Sequence, residues 1–128
     1  YGFAGLSGLL AVALSALAAH ALASIAPTGD QAVTWFREAT AFQMSHALGL
    51  VLVTMISERL AAGLGRRMMR TAAVLLTAAT LLFPGALYSV SFNGPVFFAP
   101  IGGIAAMAGW ALFGIAAWLA YRDSTQPD

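Results

Sequence analysis

The chain has 128 residues, 60% of them hydrophobic and 9% charged, with a formal net charge of +1. An ordinary soluble domain is about 25% charged, and one core of this size could not hide so much apolar surface, so the composition excludes a soluble fold and points to an integral membrane protein. The small net charge gives no footing for nucleic acid, and the lack of cysteine excludes disulfides, thiolate catalysis and cysteine-ligated metals.

A helix needs about 20 residues to cross a hydrocarbon core of roughly 30 Å, and four segments qualify. The first covers about 3–25. Its "AHALAS" end faintly resembles a signal-peptidase site, but the apolar stretch before it is about twice a signal core, and it reads as a transmembrane helix. "APTGD" breaks the chain, and Asp30 can cap the next helix. The second span covers about 33–60 and is followed by "AAGLGRRMMR", a glycine-containing basic turn. The third covers about 71–92 and ends at "NGP", a turn signal. The fourth has Pro100 in its first turn and runs to about Tyr121. The tail "RDSTQPD" is polar and is expected to fray. Residues 1–128 thus read as a single all-α membrane domain, four transmembrane helices in an up-down bundle.

Arginine placement sets the expected orientation. Arg59, Arg66, Arg67 and Arg70 gather around the second connection, and Arg122 follows the fourth span. The positive-inside rule puts that connection, and with it both termini, in the cytoplasm. Trp35, Phe36, Phe97 and Phe98 are then expected at the outer interface, and Trp118 and Tyr121 at the inner one.

Small residues recur every four positions in the first span, at Ser7, Ala11, Ser15, Ala19 and Ala23. The fourth span carries Gly102, Ala105, Ala106 and Gly109 on one stripe. Such stripes let helix backbones approach closely, either within the bundle or against a partner subunit. In the third span Pro84 frees the carbonyl of Thr80 and favours a kink. Thr77, Thr80, Pro84, Tyr88 and Ser91 share the polar face of that helix, which is expected to point inward.

The costly residues lie in the second span. Gln43, His46, Leu50, Thr54 and Ser57 follow one helical face, and Gln43 and His46 are neighbours on it. His46 lies about 12 Å inside a boundary near Arg37 and Glu38, at 1.5 Å per residue. The orientation brings His20, Tyr88, Gly102 and Gly103 to the same depth, so one outer-leaflet layer is expected to hold His20, Gln43, His46, Tyr88, Gly102 and Gly103. That layer could be an interhelical hydrogen-bond network. It could instead hold a small molecule or lipid headgroup, ligate haem b through His20 and His46, or relay protons. No second bis-histidine pair, no carboxylate for a metal and no membrane-centred acid supports the last two, so no cofactor or metal is expected. Glu38, Glu58 and the aspartates sit at span ends or in connections, so no catalytic set can be placed and no enzyme is expected.

Four pieces of the chain occur together and in order: "GLSGLLAVALSALAAHAL", "FQMSHALGL", "LLFPGALYSVS" and "APIGGIAAMAGWAL". In this combination the chain resembles the YgdD-like family of small bacterial inner-membrane proteins, over nearly its whole length. The family pattern falls here on Ala19–His20, on Gln43 and His46, on Phe83, Gly85 and Tyr88, and on Pro100, Gly102, Gly103, Gly109 and Trp110. There are two departures from it: at Ala18–Ala19, where glycine is usual before the histidine, and at Pro84, where a small polar residue is usual. The resemblance implies the four-helix fold and a multi-pass place in the bacterial inner membrane, but no substrate. The expected function is non-catalytic: an accessory or scaffolding subunit of a larger respiratory or photosynthetic membrane complex, contacting lipids and other membrane-protein subunits. The alternative is a carrier or sensor with an outer-leaflet site for a quinone- or lipid-like ligand, using His46, Gln43, His20, Tyr88 and the amides that open the fourth span.

Overall fold

The computed structural model describes residues 1–125. It contains α1 (Gly2–His20), α2 (Leu22–Ile25), α3 (Asp30–Arg59), α4 (Leu64–Ser91) and α5 (Ala99–Thr125). All but the single turn α2 are long and apolar enough to cross a membrane. Antiparallel neighbours are fastened at both ends of the molecule. The Tyr1 hydroxyl donates to Glu58 at 2.7 Å at one end, and Thr28 Oγ1 donates to the Ser91 carbonyl at 2.7 Å at the other. The first of these bonds pushes the exposed Tyr1 phenol above its ordinary pKa.

Helix boundaries differ from the sequence reading where polar residues have a helical alternative. Asp30 does not cap α3. Gly29 takes the N-cap position at φ 54°, and Asp30 lies in the first turn, where a carboxylate meets the positive end of the helix dipole. The third span begins at Leu64, not near 71, so Arg66, Arg67 and Arg70 belong to the first turns of α4 and the basic connection shrinks to residues 60–63. Arginine is a good helix former, and Arg66 Nε secures the turn by donating to the Ser57 carbonyl at 3.2 Å. Asn93, in the left-handed region at φ 60°, terminates α4 as the "NGP" signal anticipates. α5 runs on through Thr125, so the expected fraying does not begin at Arg122; the rest of the tail lies outside the described residues.

Each long helix packs on its neighbour in the chain: α1 on α3, α3 on α4, and α4 on α5. No comparable interface joins α1 to α5 among the described residues, so the bundle is an open series of antiparallel pairs. Two apolar clusters form its core. One, around Leu50, Val53, Met69, Ala72 and Leu76, lies toward the arginine-bearing end. The other, around Ala18, Leu22, Ala32 and Phe36, lies toward the opposite end. Phe36, expected at the interface, is buried there against the Tyr88 ring with centroids 4.7 Å apart.

The two small-residue stripes have different fates. On α5, Gly102, Ala106 and Gly109 are all buried against α4. A Cβ on Gly109 would stand 2.9 Å from Leu76 Cδ2. Of the expected first-span stripe, only Ser7 and Ala11 are buried, while Ser15 and Ala19 on α1 and Ala23 on α2 are exposed. A strict four-residue repeat drifts by about 40° per step at 3.6 residues per turn, so it leaves the contact face after one step. The face that is buried runs through Ala4, Ser7, Ala11 and Ala18.

Candidate functional site: a polar layer between the two cores

Gln43 and His46 lie on α3 between the two apolar clusters, and both are buried. Gln43 bridges three helices. Its Nε2 donates to the backbone carbonyl of Ser7 on α1 at 3.0 Å, and its Oε1 accepts from the Tyr88 hydroxyl of α4 at 2.7 Å. One amide thereby satisfies groups on both sides, which lipid could not do.

His46 is engaged at both ring nitrogens. Nδ1 stands 2.8 Å from the Phe42 carbonyl, and Nε2 accepts from the Trp110 indole N–H at 3.2 Å. A carbonyl can only accept and an indole N–H can only donate, so these partners select the neutral imidazole with its proton on Nδ1. The ring stacks on Phe42 with centroids 3.8 Å apart and planes 12° from parallel, and Phe42 stacks in turn on Phe83 at 4.4 Å. Trp110 meets the imidazole edge-on at 5.9 Å. Gly49, one turn along α3, makes room for it: a Cβ there would lie 2.7 Å from Trp110 Cη2.

Three of the six expected layer residues, Gln43, His46 and Tyr88, are brought together. Gly102 adjoins them, because it presses on the backbone of Phe83, where a Cβ would lie 2.6 Å from the Phe83 nitrogen. Gly103 has open space beside it and borders an apolar hollow of about 700 Å³ with Phe83, Phe97 and Met107. His20 is not in the layer. It is exposed at the end of α1, and its side chain makes no hydrogen bond among the described residues. It follows the inward-facing Ala18 by two positions, which turns it about 200° away. His20 and His46 therefore do not face a common point at which both could ligate a haem iron. Nor is the amide of Gly102 free to bind a ligand, since it donates to the Phe98 carbonyl. The polar face of α4 is spent locally: Thr77, Thr80 and Ser91 each donate to the carbonyl four residues back.

Sequence reasoning missed Phe42, Gly49 and the indole N–H of Trp110 as parts of the layer. Gly49 carried a signal, being a glycine one turn from His46 in an otherwise bulky apolar run. Among the described residues, the buried side-chain polar atom without a partner is Ser7 Oγ, although the Ser7 carbonyl is used. No three His, Asp or Glu side chains gather among the described residues.

Comparison with known proteins gives a consistent relationship. The family described as "Protein of unknown function (DUF423)" matches residues 14–103, which include Gln43, His46, Tyr88 and Gly102 and stop short of Trp110. The chain is 33% identical to the UPF0382 membrane protein YwdK of Bacillus subtilis over 117 residues, 88% of this chain and 89% of that one. It is 32% identical to the UPF0382 inner membrane protein YgdD of Escherichia coli K12 over 116 residues, covering 86% and 82%. A UPF0382 membrane protein of Haemophilus influenzae is 32% identical over 108 residues, 82% of each chain. No solved structure matches. These relatives and the four spans make the chain a multi-pass protein of the bacterial inner membrane.

Proposed function

From the premise that this chain belongs to the DUF423 family of membrane proteins, we propose that it is a non-catalytic accessory subunit that works by packing beside other membrane proteins. The observation that carries this reading is the closed polar layer. Gln43, His46, Tyr88 and Trp110 spend their donors and acceptors on one another or on backbone carbonyls, which leaves them little with which to hold or turn over a substrate. The outer faces, by contrast, are unpartnered. Ile104, Met107, Ile115 and Trp118 of α5 are exposed, and among the described residues no other long helix packs along α1 on the side away from α3. The arginine-bearing end, with both termini, faces the cytoplasm in this reading.

Extraction of native membranes with a mild detergent, followed by native electrophoresis, tests the proposal. The chain should migrate in a discrete assembly with a defined partner, and cysteine placed at Met107 should crosslink to that partner. Recovery as a lone monomer under the same conditions would overturn it.

A further inference from the structure

Two hollows lie along the outside of the α1–α3 interface. One, of about 370 Å³, is bordered by Ser15, Arg37, Val12 and Met44. The other, of about 380 Å³, is bordered by Val12 and Met44 again, and by Leu9 and Val51 further down. They share Val12 and Met44, so they adjoin at these two side chains and follow one line along the interface, a groove in two parts. Leu9 and Val12 are 66% and 59% exposed, so the groove is open to the surrounding lipid.

The groove is polar at one end only. Arg37 and Ser15 stand at that end, and apolar side chains line nearly all the rest. Arg37 is separated from Glu58 by 21 positions on α3, about 31 Å at 1.5 Å per residue, which matches the roughly 30 Å hydrocarbon thickness. The guanidinium therefore sits at headgroup level. From Arg37 to Val51 the groove descends about 21 Å, deeper than the roughly 15 Å of one leaflet. Arg37 is also the sole arginine remote from the basic end, and the one ion pair among the described residues is Arg122 with Asp123. Its neighbours a turn away on α3 are Val33, Thr34, Thr40 and Ala41, none of them acidic. Glu38 follows it in the chain but projects about 100° round the helix.

We propose that this groove holds one anionic phospholipid, its phosphate on Arg37 and an acyl chain lying along Val12 and Met44. A cation without an acidic partner at the mouth of an apolar channel is complementary to a negatively charged headgroup joined to a hydrocarbon tail. The planar guanidinium suits the paired oxygens of a phosphate. A lipid with no net negative charge would leave that charge uncompensated, and so would a partner helix that brought no carboxylate to it. The site is distinct from the Gln43–His46 layer and does not depend on the accessory-subunit reading.

The test uses the full chain purified in detergent with equal amounts of phosphatidylglycerol and phosphatidylcholine, read by native mass spectrometry. One phosphatidylglycerol should be retained under activation that strips phosphatidylcholine. Arg37→Gln should weaken that retention about tenfold, as expected for loss of a charge-assisted contact. Arg37→Lys should retain part of it. Val12→Trp, which fills the channel and leaves Arg37 intact, should also lose the lipid, whereas Arg66→Gln and Arg67→Gln together should not. Melting curves check that each variant is folded. They also supply a measurement that needs no variant, since phosphatidylglycerol should raise the wild-type melting temperature more than phosphatidylcholine does. Equal retention of both lipids, unchanged retention in folded Arg37→Gln and Val12→Trp, or full displacement by oleate would each overturn the assignment.

Discussion

The indole of Trp110 occupies the space that a side chain at Gly49 would fill, with Cη2 and Cζ2 at 2.7 and 2.9 Å from where that Cβ would stand. Its N–H is then directed at His46 Nε2, one turn earlier on α3. A methyl group at position 49 must displace the indole or move α5. Gly49→Ala should therefore lower the unfolding free energy by about 1–3 kcal/mol, the usual range for overpacking. The penalty should largely vanish when Trp110 is already alanine, because the clash has gone. Denaturant unfolding of the four variants in detergent checks this, and equal penalties in both backgrounds would refute it.

The bridge made by Gln43 supports a second expectation. Gln43→Leu strands the Tyr88 hydroxyl and removes the donor to the Ser7 carbonyl. Interhelical hydrogen bonds in membranes contribute about 0.6 kcal/mol on average and up to roughly 1.7, so a loss of about 1–2 kcal/mol is expected for the two. In a double-mutant cycle with Tyr88→Phe the coupling should be positive and of the size of one bond. A coupling of zero would mean that the hydroxyl and the amide do not meet.

Glycines of α5 should divide by what faces them. Gly102→Ala would set a Cβ 2.6 Å from the backbone nitrogen of Phe83, and backbone cannot swing aside as a side chain can. It should cost about 1–3 kcal/mol or more. Gly103→Ala meets nothing within 4 Å and should be neutral, or stabilising by up to about 1 kcal/mol through helix propensity. Melting temperatures of the two variants measured side by side decide the matter, and similar values would contradict the packing of α5 on Phe83.

His46 should carry its proton on Nδ1. Nitrogen NMR of selectively labelled protein should show an unprotonated Nε2 in the wild type. Trp110→Phe removes the indole donor and should shift the Nε2 resonance, while His20 is unaffected because it lies outside the layer. A protonated Nε2 in the wild type would rule out the indole bond.

The four spans could be read from the sequence because bilayer thickness imposes a length and apolarity that each segment announces by itself. The depth of Gln43, His46 and Tyr88 could be read too, since rise per residue converts position into height. Azimuth was harder. His20 has the right height and the wrong direction, because it follows Ala18 by two positions, and the contact face of α1 is not the four-residue stripe that its small residues suggest. Pairing was not legible at all. That Trp110 belongs on Gly49, and that Gln43 finds a carbonyl on α1, depends on how the helices rotate about their axes, which no single segment encodes.

The Gln43–Ser7 bond joins a side chain on α3 to the main chain of α1. Every residue type carries that carbonyl, so position 7 is constrained in bulk and not in chemistry: alanine or glycine there would present the same acceptor. Position 43 has no such freedom. The joint between these two helices is thus one-sided, and substitutions at its two ends need not track each other. A search for co-varying pairs would pass over a contact on which the seating of α1 depends.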